Sequence, residues 1–99
     1  MLKSIEILIS GRVQKVGFRA CIKKIATDLT ITGTVINLPD GRVRIHATGE
    51  PMILEKFVSM VYGCPRAIIR DVRLSDIPVK TFMDFSITKG GENQISTGL

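Results

Sequence analysis

The stretch SIEILISGRVQKVGFRACIKKIATDL, residues 4–29, decides the fold because its hydrophobic period changes partway along. Between Ser4 and Ser10, Ile5, Ile7 and Ile9 alternate with Ser4, Glu6 and Ser10, the period of a strand with one buried face; Leu8 adds partial cover on the other. From Phe18 to Leu29, Phe18, Cys21, Ile22, Ile25, Ala26 and Leu29 recur at helical spacing, and Arg19, Lys23, Lys24 and Asp28 take the opposite face. Residues 11–17 join the two as a glycine-punctuated loop. A strand that feeds an amphipathic helix in this way calls for a helix lying on a sheet.

Downstream, residues 31–38 (ITGTVINL) and 42–48 (RVRIHAT) are predicted strands joined by the turn Pro39-Asp40-Gly41. Gly49-Glu50-Pro51 opens a second helix, because proline suits the first helical position. Ile53, Leu54, Phe57, Val58 and Val61 form its buried stripe, and Gly63 and Pro65 end it. Two more strands are expected at 67–74 and 82–88, with Pro78 between them. The order is βαββαβ plus one extra strand segment, which folds as an α+β, ferredoxin-like sandwich: an antiparallel sheet with two helices on one face. Residues 1–90 make one domain, and the polar, glycine-rich segment 91–99 is expected to be a flexible tail.

A chain of 99 residues can bury one modest core. It has no run of roughly 18 apolar residues to span a membrane, and Lys3 and Glu6 interrupt any signal-peptide core, so a cytoplasmic protein without membrane contact is expected. Cys21 and Cys64 lack the spacing of a zinc or redox motif. Reduced thiols are the default expectation, with Cys21 a small core residue; a Cys21–Cys64 bridge has no support in the sequence. The net charge of +5 is spread along the chain and favours an anionic partner without naming one.

The loop carries the chemistry. A turn between a strand and a helix N-terminus aims several backbone N–H groups at one point, where the helix adds partial positive charge. Gly11 and Gly17 allow positive φ or close backbone approach, and Arg19 presents a two-pronged donor to phosphate oxygens. No Lys-Ser/Thr pair follows the second glycine, so the loop is not of the ATP-binding Walker type. Asn37, near the hairpin end, fits either a local backbone cap or a functional amide.

Gly11-Arg12-Val13-Gln14-Lys15-Val16-Gly17-Phe18-Arg19 closely resembles the first signature of the acylphosphatases, a family of small ferredoxin-like enzymes. The second signature is recognisable, more weakly, in Gly33-Thr34-Val35-Ile36-Asn37 and Gly41, and the likeness runs over about residues 3–88. The resemblance implies hydrolysis of carboxyl-phosphate mixed anhydrides to carboxylate and inorganic phosphate. It implies that Val13, Gln14, Lys15, Val16, Gly17 and Phe18 lend backbone amides, that Arg19 holds the phosphoryl group, and that Asn37 orients the attacking water. No metal or other cofactor is expected, and the partners are a small acyl phosphate and phosphate ion, bound by a monomer.

Three positions depart from the pattern. Lys15 stands where glycine is usual, Thr34 replaces an aromatic residue and Ile36 replaces a basic one. An acylphosphatase-like domain that only binds or regulates is the alternative reading. A nucleic-acid module of similar topology is a further rival, but the central strands IEILIS and RVRIHAT carry no aromatic residue to stack bases, and Arg42, Arg44 and His46 read as a solvated strand face. No nucleic acid partner is therefore expected.

Overall fold

In the computed structural model, which describes residues 1–89, the chain runs β1 (Lys3–Arg12), α1 (Phe18–Asp28), β2 (Thr32–Asn37), β3 (Val43–Gly49), α2 (Pro51–Val61), β4 (Ile68–Ile77) and β5 (Phe85–Thr88). The expected tail, 91–99, lies outside the described residues. The sheet order is β4-β1-β3-β2-β5. The first four strands pair antiparallel, as the βαββαβ order requires, while β5 pairs in parallel with β2 at the far edge and makes the sheet mixed. β4 and β5 therefore sit on opposite edges. Their link crosses the sheet and is pinned there: the Lys80 amide donates to Ser4 Oγ at 2.9 Å, and Thr48 Oγ1 donates to the Lys80 carbonyl at 2.8 Å. That crossing shortens β5 relative to the segment expected from 82.

One face of the sheet holds the core. Ile5, Ile7 and Ile9 of β1 and Val43, Ile45 and Ala47 of β3 are buried against Phe18, Ile22 and Ala26 of α1 and Leu54, Phe57 and Val61 of α2. The alternation legible in β1 and the 3.6-residue stripe legible in α1 meet here. Phe85 of β5 closes the layer edge-on to Phe57, with ring centroids 6.1 Å apart.

The cysteines correct the sequence expectation. Cys21 and Cys64 form a disulfide, with Cα atoms 6.0 Å apart, that ties α1 to the segment following α2. Cys21 is only half-buried. Two residues 43 apart in sequence meet because α1 and α2 lie side by side on one face, a tertiary fact that neither local sequence contains. Closing a loop of that length restricts the unfolded chain by about 4 kcal/mol on the chain-entropy model.

Candidate active site

The register of the sheet brings the first motif to the second. Ile9 of β1 opposes Val43 of β3, and Val43 opposes Asn37 of β2. Asn37 thus ends a row on the helix-covered face, sharing the parity of buried Gly33 and Val35. β1 continues to Arg12 and turns over the end of that row. The turn begins at a register shift between Ser10 and Gly11 against β4. Gly11 has φ +134°, and a Cβ there would sit 2.1 Å from the Ile68 carbonyl oxygen, so only glycine fits the irregularity at which β1 shifts register while staying paired with β4 through Arg12.

Beyond it the backbone alternates in hand. Lys15 has φ 62° and Gly17 φ 74°, whereas neither Gln14 nor Val16 has positive φ. Alternation of this kind turns successive N–H groups into one concave surface. Gly17 is the N-cap of α1 and supplies no side-chain cap, and the first turn of α1 has no acidic residue. Among the described residues, the amides of Lys15 through Ala20 donate to no loop or cap acceptor, the first such bond being Cys21 N–H to the Gly17 carbonyl. The loop and helix start are therefore a ring of donors without internal acceptors.

Val13 and Phe18 are each 1% exposed and anchor the two ends of the loop in the core, leaving their backbones to face the turn. Gln14 ties it sideways: its Nε2 donates to the carbonyls of Leu38 (2.9 Å) and Arg42 (3.0 Å), the pair that closes the β2–β3 hairpin next to Asn37. Arg19, half-buried in the first turn of α1, lines a pocket of about 170 Å³ with Val13, Lys15, Gly17, Phe18, Ala20 and Ile87. Neither Arg19 nor Lys15 joins any ion pair among the described residues. Asn37 is not in the lining of this pocket; the Gln14 tie joins the loop to Leu38, the chain neighbour of Asn37. The Asn37 Oδ1 is buried and has no hydrogen-bond partner among the described residues, which leaves it an acceptor for water or a ligand.

Two charged pairs lie on or near the hairpin. Arg42 donates through its amide and Nε to Asp40, at 3.0 and 2.9 Å. The Arg42 amide, aided by its guanidinium, holds the Asp40 carboxyl below its usual range, against a smaller upward push from desolvation. His46 hydrogen-bonds Glu6 at 2.9 Å on the open face of the sheet, away from the loop. Thr34 and Ile36 lie on that same open face, opposite His46 and Arg44. Replacing an aromatic and a basic residue there changes neither the packing behind Asn37 nor the side chains around Arg19. Lys15 does occupy the left-handed conformation that the motif's usual glycine adopts freely, at a strain of roughly 1–2 kcal/mol.

A larger depression, about 330 Å³, lies between α2 and β4 and is lined by Lys3, Leu54, Val58, Leu74 and Asp76. It lies apart from the loop and Arg19, so its size does not make it the reactive site. No group of three or more His, Cys, Asp or Glu side chains able to hold a metal is found among the described residues, and no helix is long and apolar enough to cross a membrane. Sequence reasoning missed Ala20 and Ile87 as pocket walls. The segment Phe85-Ser86-Ile87 was legible as a strand, but not its place beside β2.

Comparison with known proteins agrees with this geometry. The acylphosphatase family model matches residues 5–87. An acylphosphatase of Archaeoglobus fulgidus is 44% identical over 85 residues, covering 85% of this chain and 96% of the relative. One from Ligilactobacillus salivarius is 42% identical over 89 residues, covering 88% and 99%. The crystal structure of acylphosphatase from Bacillus subtilis superposes with a TM-score of 0.84 at 34% identity, covering 89% of this chain and 99% of that one. Fold and sequence agree over nearly the full length of these relatives, and the chain belongs to the acylphosphatase family of hydrolases.

Proposed function

We propose that the chain hydrolyses carboxyl-phosphate mixed anhydrides by in-line attack of water at phosphorus, with residues 13–19 holding the phosphoryl group and Asn37 orienting the water. The observation that carries this reading is the alternating-handed loop, whose N–H groups lack internal acceptors among the described residues and whose pocket is lined by Arg19, which joins no ion pair there. An acyl phosphate already has a good leaving group, so the protein chiefly positions water and neutralises charge on the equatorial oxygens. The amides of Val13, Gln14, Lys15, Val16, Gly17 and Phe18 and the Arg19 fork perform the second task. The Asn37 Oδ1 accepts a hydrogen bond from the water and, being uncharged, does not repel the phosphate dianion. As the water oxygen bonds to phosphorus, the bond to the acyl oxygen breaks. Its electron pair leaves with the carboxylate, and the surplus water proton goes to solvent.

In this reading the chain works without metal or other cofactor, as a monomer spanning residues 1–90, on small acyl phosphates rather than nucleic acid. The free edge of β4 favours the monomer, because exposed Arg70, Asp71, Arg73 and Asp76 discourage strand addition. A cytoplasmic location completes the reading on the condition that the Cys21–Cys64 bridge survives there, as disulfides do inside some hyperthermophiles. The test is phosphate release from acetyl phosphate in the presence of a chelator. Turnover well above spontaneous hydrolysis, undiminished by the chelator, is expected; a folded chain that releases phosphate no faster than buffer refutes the reading.

A further inference from the structure

We infer that the Lys15 ammonium, and not only its backbone amide, is a ligand of the bound phosphoryl group and of the inorganic phosphate product, so that this site holds its anion with two cations. The inference rests on the function proposed above and adds a binding group to it.

Three observations meet at this residue. Lys15 adopts φ 62°, a conformation that strains any residue with a Cβ and that glycine would occupy freely. Strain retained at a site where an unstrained residue gives the same backbone points to work done by the side chain. Lys15 is also exposed and lines the same 170 Å³ pocket as Arg19 and the amides of the loop. Finally, it makes no ion pair among the described residues, and neither does Arg19. Two cationic residues without an ion-pair partner among the described residues therefore line one small pocket with N–H donors. An anion entering it meets both charges, which makes phosphate a fitting occupant. A compact ammonium on a flexible stem binds as a point charge and does not demand one geometry, so it tolerates both the substrate's phosphoryl group and free phosphate.

A second consequence concerns turnover. A cation that holds the phosphoryl group before and after reaction strengthens product binding as well as substrate binding. Inorganic phosphate should therefore inhibit this chain more strongly than the Lys15→Gly variant.

The test is calorimetric titration of the folded chain with inorganic phosphate at low ionic strength, on wild type, Lys15→Gly, Lys15→Gln and Lys15→Arg, with Arg19→Ala as reference. Glycine removes charge and strain, glutamine removes charge alone, and arginine keeps the charge. The dissociation constant is expected to rise about fivefold in both the glycine and glutamine variants, to stay near wild type in the arginine variant, and to converge for all four as salt screens the pocket. The phosphate inhibition constant should shift in parallel. A glycine or glutamine variant that binds phosphate as tightly as wild type overturns the inference. Binding does not require turnover, so the Lys15 result stands apart from the activity assay; loss of phosphate binding in Arg19→Ala shows that the titration reads this pocket.

Discussion

Replacing Arg19 by alanine is expected to lower kcat/KM by about 10³-fold or more, equivalent to roughly 4 kcal/mol of transition-state stabilisation, in a variant that still folds. The guanidinium sits in the first turn of α1 with no carboxylate beside it among the described residues, so its removal breaks no internal ion pair. Its aliphatic stem is half-buried, which limits the stability loss to packing. In the proposed mechanism Arg19 holds the phosphoryl group before, during and after the reaction, so both KM and kcat should suffer, and inorganic phosphate should bind more weakly. Arg19→Lys keeps one charge but loses the two-pronged donor, and should fall between wild type and alanine. Steady-state kinetics with acetyl phosphate, alongside thermal unfolding, checks all of these.

Asn37→Ala is expected to behave differently in a way that identifies its task. Turnover should fall by about 10²- to 10³-fold, the usual cost of removing one preorganised polar group from a reacting centre. KM and the phosphate inhibition constant should change little, because the proposed mechanism gives this side chain the water and not the phosphoryl group. Stability should largely hold. Asn37 Oδ1 is buried without a partner among the described residues, so deleting it breaks no internal hydrogen bond and costs only packing. An inactive variant that unfolds little earlier than wild type is the signature of a residue kept for chemistry. Equal losses of turnover and stability would instead mark Asn37 as a hairpin cap.

Much of this was legible in the sequence, for reasons that can be named. The alternation Ile5, Ile7, Ile9 and the stripe Phe18, Ile22, Ala26 report burial on one face directly, and both sets are buried in the core. The glycine pair around the loop reports backbone shape: Gly11 carries the register shift of β1 against β4 and Gly17 caps α1 in the left-handed region. What the sequence could not convey was adjacency. Nothing local says that Gln14 reaches the hairpin carbonyls of Leu38 and Arg42, that Ile87 walls the Arg19 pocket, or that Cys21 meets Cys64. Each of these depends on the sheet order β4-β1-β3-β2-β5 and on the packing of α1 beside α2. The departures at Thr34 and Ile36 also needed the fold to be judged, since only the strand register turns them onto the open face, away from Asn37.

The central claim, that Asn37 and the loop direct water to phosphorus and not to the acyl carbon, is tested most directly by hydrolysing acetyl phosphate in water enriched in oxygen-18 and locating the label by mass spectrometry. Attack at phosphorus places the heavy oxygen in inorganic phosphate and leaves acetate unlabelled, which is the result expected for the wild type. Label recovered in the carboxylate would mean that water attacks the carbonyl carbon, and that Arg19 and Asn37 do not hold the phosphoryl group and its attacking water as proposed.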